Sequence, residues 1–287
     1  MQWFLKQFMN NLFSIIIPTY NRSGSLPNAI DSVLQQEAGN WDLIIIDDGS
    51  TDDTQAVIQN YLRDKRIKYS FQRNSGVSAA RNKGIELARG NYVIFLDSDD
   101  LFLPGLISTL NTIEIENFDL VFWEVKKLFP DHSEIWKAQK LERIYNNITA
   151  TFLAGSVCYK KEALIKSGGY DKELKFGENY ELGMRIAQME NLKYKLITSP
   201  YLIYHVSDVR KNSKPSQKIE SLKYLLEKHS QLYSEDVLSY SRLLYQLGYL
   251  SEKLKNKKKA KSYFKKALLV RPFYMKAFLK LIIHNFK

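Results

Sequence analysis

Four apolar runs mark the first hundred residues: Phe13 to Ile17, Leu43 to Ile46, Ile67 to Phe71 and Tyr92 to Leu96. Each breaks off into a polar, glycine-bearing or acidic cluster: Pro18-Thr19-Tyr20, Asp47-Asp48-Gly49-Ser50, Asn74-Ser75-Gly76 and Asp97-Ser98-Asp99-Asp100 respectively. After each cluster, apolar residues recur at helical spacing, over Ser25 to Gln36, Asp52 to Asp64, Val77 to Ala88 and Pro104 to Glu116. Alternation of this kind predicts an α/β fold, a mostly parallel sheet with helices on both faces. Ligands of such sheets bind beyond the carboxyl ends of the strands, so the four clusters are expected to converge on one crevice. Ser50 followed by Asp53 predicts a capped start to the second helix, and Pro104 is expected in the first turn of the fourth.

Further along, Leu120 to Val125 reads as a strand, residues 126 to 150 carry no motif, and Thr151 to Tyr159 reads as another strand followed by a short helix. A helix is expected from Asn179 to Met189. Asn212-Ser213-Lys214-Pro215-Ser216 interrupts the periodic pattern as a domain boundary would. Met1 to Phe13 has helix-like spacing and is expected to pack on the body. The expected organisation is an N-terminal extension over 1–12, an α/β domain over 13–212 and an all-α, basic region over 213–287. In that last region Leu244, Leu247 and Gly248 precede Ala260, Phe264 and Pro272 at the separations of a tetratricopeptide unit. Leu244 stands for the usual Trp and Ser251 for the usual Tyr, and an unrelated helical hairpin is the alternative.

Composition narrows this picture in two ways. The chain has 287 residues, 45% of them hydrophobic, enough for a packed core, and no apolar stretch approaches the ~18 residues of a membrane span. Cys158, the single cysteine, excludes an intramolecular disulfide and multi-cysteine zinc sites, and is expected to be a small buried apolar residue. No leader pattern opens the chain, so the expected compartment is the cytoplasm, with peripheral contact at the inner face of the cell membrane. The net charge of +11 is localised: from Ser251 onward twelve Lys or Arg face one acid, Glu252, while residues 1–250 carry thirty of each sign. Attraction to an anionic membrane, or to a protein, is therefore expected from the tail, and no nucleic acid partner is expected.

The stretch from Phe13 to Tyr204 resembles the family-2 glycosyltransferases. The resemblance rests on four blocks in order: Ser14-Ile15-Ile16-Ile17-Pro18-Thr19-Tyr20-Asn21-Arg22, Ile45 to Thr54 with Asp47-Asp48-Gly49-Ser50, Asn74 to Gly84 with Ala80-Arg81-Asn82, and Phe95-Leu96-Asp97-Ser98-Asp99-Asp100. It implies the A-type nucleotide-sugar fold, a nucleoside-diphosphate donor with a UDP-sugar first in line, and a saccharide or lipid-linked acceptor. By this resemblance Pro18, Thr19, Tyr20, Asp48, Arg81, Asp97 and Ser98 bind the nucleotide. A flat contact from Tyr20 and an acceptor from Asp48 suit a uracil-like base. Asp97 and Asp99, two residues apart at a strand end, can offer oxygen ligands to Mn2+ or Mg2+, and no compensating charge for them is evident in the sequence. His205 is a further candidate ligand.

An inverting transfer also needs a base for the acceptor hydroxyl. The family carries a Glu-Asp pair ahead of a helix with an Arg, and the matching stretch here is Gly177-Glu178-Asn179-Tyr180-Glu181-Leu182-Gly183-Met184-Arg185. Asn179 occupies the usual Asp position, and an amide cannot serve as this base. Glu178 is the expected replacement, and Gly168 to Asp171 is expected to shape the acceptor pocket. Two rivals stay open: a noncatalytic nucleotide-sugar binder or assembly scaffold, and a nucleotidyltransferase, although the chain lacks a basic glycine-rich phosphate loop near its first strand.

Overall fold

The structure is a computed structural model that describes residues 12–206 and 214–285. Apart from Leu12, the expected N-terminal extension lies outside these residues, as do Asn212 and Ser213 at the expected boundary.

The strands among the described residues are Phe13–Thr19 (β1), Trp41–Asp47 (β2), Ile67–Phe71 (β3), Tyr92–Phe95 (β4), Leu101–Phe102 (β5), Leu120–Leu128 (β6), Ser133–Trp136 (β7), Gln139–Lys140 (β8), Thr149–Ala150 (β9), Val157–Lys160 (β10) and Tyr194–His205 (β11). The main sheet runs β3-β2-β1-β4-β10-β6-β11-β5, with β7 on β6 and a separate β8-β9 pair. β3, β2, β1 and β4 are mutually parallel, as the alternating pattern predicts. β10 is antiparallel to both of its neighbours, and β11 is parallel to β6.

β1 and β2 are buried at every position, so both faces of the sheet are covered. Their polar members are satisfied internally. The Ser14 hydroxyl donates to Asp42 at 2.6 Å and accepts from the Gly90 N–H at 2.9 Å, while Lys68 Nζ reaches Asp42 at 2.7 Å. The register pairs Thr19 with Asp47 and Asp47 with Phe71, so these three strand ends lie level and their loops meet.

The α-helices among the described residues before residue 190 are Leu26–Leu34 (α1), Thr54–Gln59 (α2), Val77–Leu87 (α3), Leu106–Asn111 (α4), Lys161–Lys166 (α5) and Glu178–Ala187 (α6). Gly84 sets the distance of α3 from the sheet, since a Cβ there would lie 2.3 Å from Ile16 Cγ2.

Three local expectations need correction. Asp53 precedes α2 without a capping bond, and Ser50 Oγ instead accepts from the Asn21 N–H at 2.9 Å. Pro104 falls outside α4, which starts after Gly105 at φ 84. The strand expected over 151–159 is reduced to β10, because Gly155 at φ 82 turns the chain and its carbonyl accepts from the Trp123 indole at 2.7 Å. β11 carries no alternating signal in the sequence, because its register shifts on either side of Pro200, where a residue without an N–H falls at a bulge.

Contacts divide the chain into two units: Met1–Gln139, Thr149–Lys172 and Arg185–Arg210 form one, and Lys140–Ile148, Glu173–Met184 and Lys211–Lys287 the other. The first is built on the sheet, with Cys158 buried in its core as expected. The second contains Pro215–Lys228 (α7), Ser230–Glu235 (α8), Val237–Lys253 (α9), Lys257–Val270 (α10) and Met275–Asn285 (α11). Its core gathers Ile144, Leu174, Met184, Leu222, Leu225, Tyr233, Leu243 and Leu247. The repeat-like spacing has a steric basis here. Ala260 and Phe264 of α10 are fully buried, and a Cβ on Gly248 of α9 would lie 2.6 Å from the Phe264 ring.

Candidate active site

The loops after β1, β2 and β3 are tied into one assembly. Asp47 is fully buried, and its carboxylate accepts from the Ser50 N–H at 2.8 Å and the Tyr69 hydroxyl at 3.1 Å. Burial, with the Asp47 charge beside it, pushes the Tyr69 phenol up to about 12. Asp48 accepts from Gln72 Nε2 at 2.7 Å and from the Ser75 and Gly76 N–H groups at 2.8 Å each. Its carboxylate therefore organises the Asn74-Ser75-Gly76 loop. Asn21 Oδ1 accepts from the Thr51 N–H at 2.7 Å, and Asp52 accepts from the Ser23 N–H and from both the N–H and hydroxyl of Thr54. Burial works against ionisation of Asp52, yet the bonds from Thr54 and Ser23 prevail and lower it to about 2.

Pro18 and Thr19 are buried and Tyr20 is exposed at the mouth of β1. Thr19 Oγ1 is buried and has no hydrogen-bond partner among the described residues. A buried hydroxyl in that state gains from any polar group a ligand brings to it.

Beyond β4, one carboxylate oxygen from each of Asp97, Asp99 and Asp100 lies within 4.8 Å of the others. Asp97 and Asp99 are partly exposed, Asp100 is fully buried and Ser98 is buried between them. Hard oxygen donors packed this closely fit a divalent cation such as Mg2+ or Mn2+. The expectation that these acids lack compensating charge is wrong. Arg81, 2% exposed on α3, pairs with Asp97 at 2.8 Å, and Arg22 stands 3.8 Å from Asp99. His205 approaches the cluster through the main chain. Its ring Nδ1 lies 2.9 Å from the Asp99 carbonyl oxygen, and its N–H donates to Asp100 at 3.1 Å.

Two residues whose roles sequence reasoning missed hold the Gly168 to Asp171 turn from either side. Asn82 donates its amide to the Tyr170 carbonyl and accepts from the Tyr170 N–H, both at 2.8 Å. Arg185 donates to the Ser167 carbonyl and, at 2.6 Å, to the Gly169 carbonyl. Gly169 sits at φ 69, and a Cβ on it would lie 2.6 Å from Asn82 Oδ1. Arg81 also lies over the Tyr170 ring at 5.0 Å, so one helix orders both the acidic cluster and this turn.

Glu178 and Asn179 open α6 and belong to the second unit. Their neighbours Gly177 and Tyr180 line a cavity of about 360 Å3 within that unit, walled by Tyr145, Tyr233, Leu222 and Leu243 and carrying the Glu142–Arg242 ion pair. Sequence reading also passed over Glu181. It is fully buried and bound to Lys228 at 2.8 Å and His229 at 3.0 Å, both of them outside the motif blocks.

Fold and site together define an α/β protein with a largely parallel sheet and a carboxylate cluster at a strand end. The family model described as Glycosyl transferase family 2 matches residues 14–172, more than half of the chain, and the chain belongs to that family. A model described as Tetratricopeptide repeat matches residues 241–274. An uncharacterized glycosyltransferase of Rickettsia felis is 40% identical over 144 residues, 50% of this chain and 22% of that protein. The GalNAc(5)-diNAcBac-PP-undecaprenol beta-1,3-glucosyltransferase of Campylobacter jejuni is 41% identical over 112 residues, 38% of this chain and 36% of that one. The chain thus matches well under half the length of these relatives. S. aureus TarS 1-349 in complex with UDP-GlcNAc superposes with a TM-score of 0.68 at 18% identity, covering 95% of this chain and 89% of TarS 1-349, so the two share the A-type fold. Among the described residues no helix is long and apolar enough to cross a membrane.

Proposed function

We propose that the chain is an inverting glycosyltransferase of bacterial surface-glycan synthesis, moving a sugar from a nucleoside-diphosphate donor, UDP-sugar first, to a saccharide or lipid-linked acceptor. The observation that carries this reading is the Asp97, Asp99 and Asp100 cluster, ordered by Arg81 beside the loop that Asp48 organises. The UDP-GlcNAc bound by TarS and the acceptor in the Campylobacter enzyme's name support the donor and acceptor classes. Residues 13–212 are assigned as the catalytic domain, 213–287 as a helical tetratricopeptide-like region and 1–12 as an extension.

Pro18, Thr19, Tyr20, Asp48, Arg81, Asp97 and Ser98 are assigned to the nucleotide, with Tyr20 against the base. Asp97 and Asp99 would hold Mn2+ or Mg2+, with His205 as a further ligand, and the ion would supply Lewis-acid stabilisation of the diphosphate's charge. In the transfer, the acceptor oxygen bonds the anomeric carbon and the bond from that carbon to the diphosphate oxygen breaks. The diphosphate leaves with the electron pair, and Glu178 takes the hydroxyl proton. Asn179 can hydrogen-bond the acceptor but takes no proton.

Asn179 also favours a second reading, a noncatalytic nucleotide-sugar binder. A panel of nucleotide-sugars, followed by release of nucleoside diphosphate, separates the two. Turnover with one donor is expected, and Glu178→Gln should lower it by about 10²–10⁴-fold while donor affinity holds. Donor binding without release under any acceptor would favour the binder, and wild-type turnover in Glu178→Gln would remove Glu178 as base.

A further inference from the structure

We propose that the turn between α10 and α11, with the outer face of α11, docks the chain on an anionic phospholipid surface. Leu269 and Phe273 expose 83% and 89% of their surface, more than any other large apolar side chain among the described residues. Single exposed apolar residues are ordinary, but these continue into a stripe. Met275, Phe278, Leu279, Ile282 and Ile283 are all exposed, and their spacing of i, i+3, i+4, i+7 and i+8 puts them on one side of α11. The helix buries a different side, where Ala277 packs with Leu244 and Ala267. α11 therefore carries two apolar faces, and the unit's own core uses one.

Charge identifies the occupant of the other. Exposed Lys265 and Lys266 lie one turn before Leu269 on α10 and exposed Lys276 follows Met275, while Lys257, Lys258 and Lys259 stand at the far end of α10 and add only to the wider positive field. The one acid after residue 250 is Glu252, which pairs with Lys280 at 2.8 Å, so no carboxylate there opposes an anionic surface. A second copy docked through the same face would bring the same positive field and be repelled. Lysines around an apolar tip match the headgroup and acyl boundary of an anionic leaflet, where charge attracts and Leu269, Phe273 and Met275 insert. The inference does not depend on the sugar-transfer reading, because binding is measured without turnover.

The test is co-sedimentation of the full chain with vesicles of phosphatidylcholine alone and of phosphatidylcholine with phosphatidylglycerol, at low and high salt. Binding is expected to the anionic vesicles, to weaken with salt, and to fall about fivefold for each engaged lysine replaced by Gln. Leu269→Ser with Phe273→Ser, at exposed positions that the fold does not need, should lower it by at least about tenfold. Phe273→Trp should be quenched by brominated lipid beyond whatever quenching the parent chain shows from its four native tryptophans, which reports insertion at position 273 rather than adsorption. Equal binding to both vesicle types, no binding to either, or full binding by the double serine variant would overturn the proposal. Concentration-dependent self-association that the serine variant abolishes would instead assign the face to a second copy.

Discussion

Arg22 competes with any cation for Asp99, and its removal should tighten cation binding. Its guanidinium lies 3.8 Å from the Asp99 carboxylate, with the two side chains 41% and 26% exposed. Unit charges about 4 Å apart attract by roughly 1 kcal/mol in water and about 4 kcal/mol at an effective dielectric near 20. Exposure on this scale selects the lower part of that range, about 1–2 kcal/mol. A divalent ion at Asp97, Asp99 and Asp100 must overcome that attraction, so Arg22→Gln should strengthen Mn2+ binding to the nucleotide-free chain by about 5–30-fold. Titration followed by the electron paramagnetic resonance of unbound Mn2+ reads the change directly, with Asp99→Ala as the control that loses binding. Mn2+ affinity that stays constant or weakens in Arg22→Gln would refute the competition, and affinity unaffected by Asp99→Ala would refute the site.

Asn82→Asp sets an oxygen against the Tyr170 carbonyl where an amide donor now stands, and should cost roughly 1–3 kcal/mol, seen as a lower urea midpoint at unchanged slope. Gly248→Ala gains about 1 kcal/mol of helix propensity but crowds the Phe264 ring, so stability should fall by roughly 1 kcal/mol. In a Phe264→Leu background the same change should become neutral or stabilising, and strict additivity of the two would contradict the contact. Asp52 ionises near 2 against an ordinary 3.8, so its ties to Ser23 and Thr54 stabilise the fold fully above pH 3.8 and are lost as pH falls toward 2. A carboxyl carbon NMR titration of Asp52 with a midpoint near 3.8 would contradict those bonds.

Much of this protein could be read from local pattern. Continuous apolar runs at β1 and β2 specify strands covered on both faces, because no other short element hides Ile at every consecutive position. The polar clusters after those runs follow from the same logic, and so does the acidic group after β4. The Leu-Gly and Ala-x3-Phe spacing of α9 and α10 was legible because close helix packing constrains residue size at fixed intervals. Other features needed the tertiary structure, since they depend on residues far apart in sequence. The resemblance picks out Arg81 for the nucleotide, but its burial at 2% exposure against Asp97, sixteen positions away, is decided by the fold. Asn82 meets Tyr170 across 88 positions, and Glu181 meets His229 across 48. No periodicity encodes such pairings. β11 escaped notice for a different reason, because Pro200 breaks the alternation and the strand is held by its neighbour β6 rather than by its own pattern. Composition locates the positive charge after residue 250, but only folding decides which apolar residues among those lysines enter a core and which, like Phe273, stay outside it.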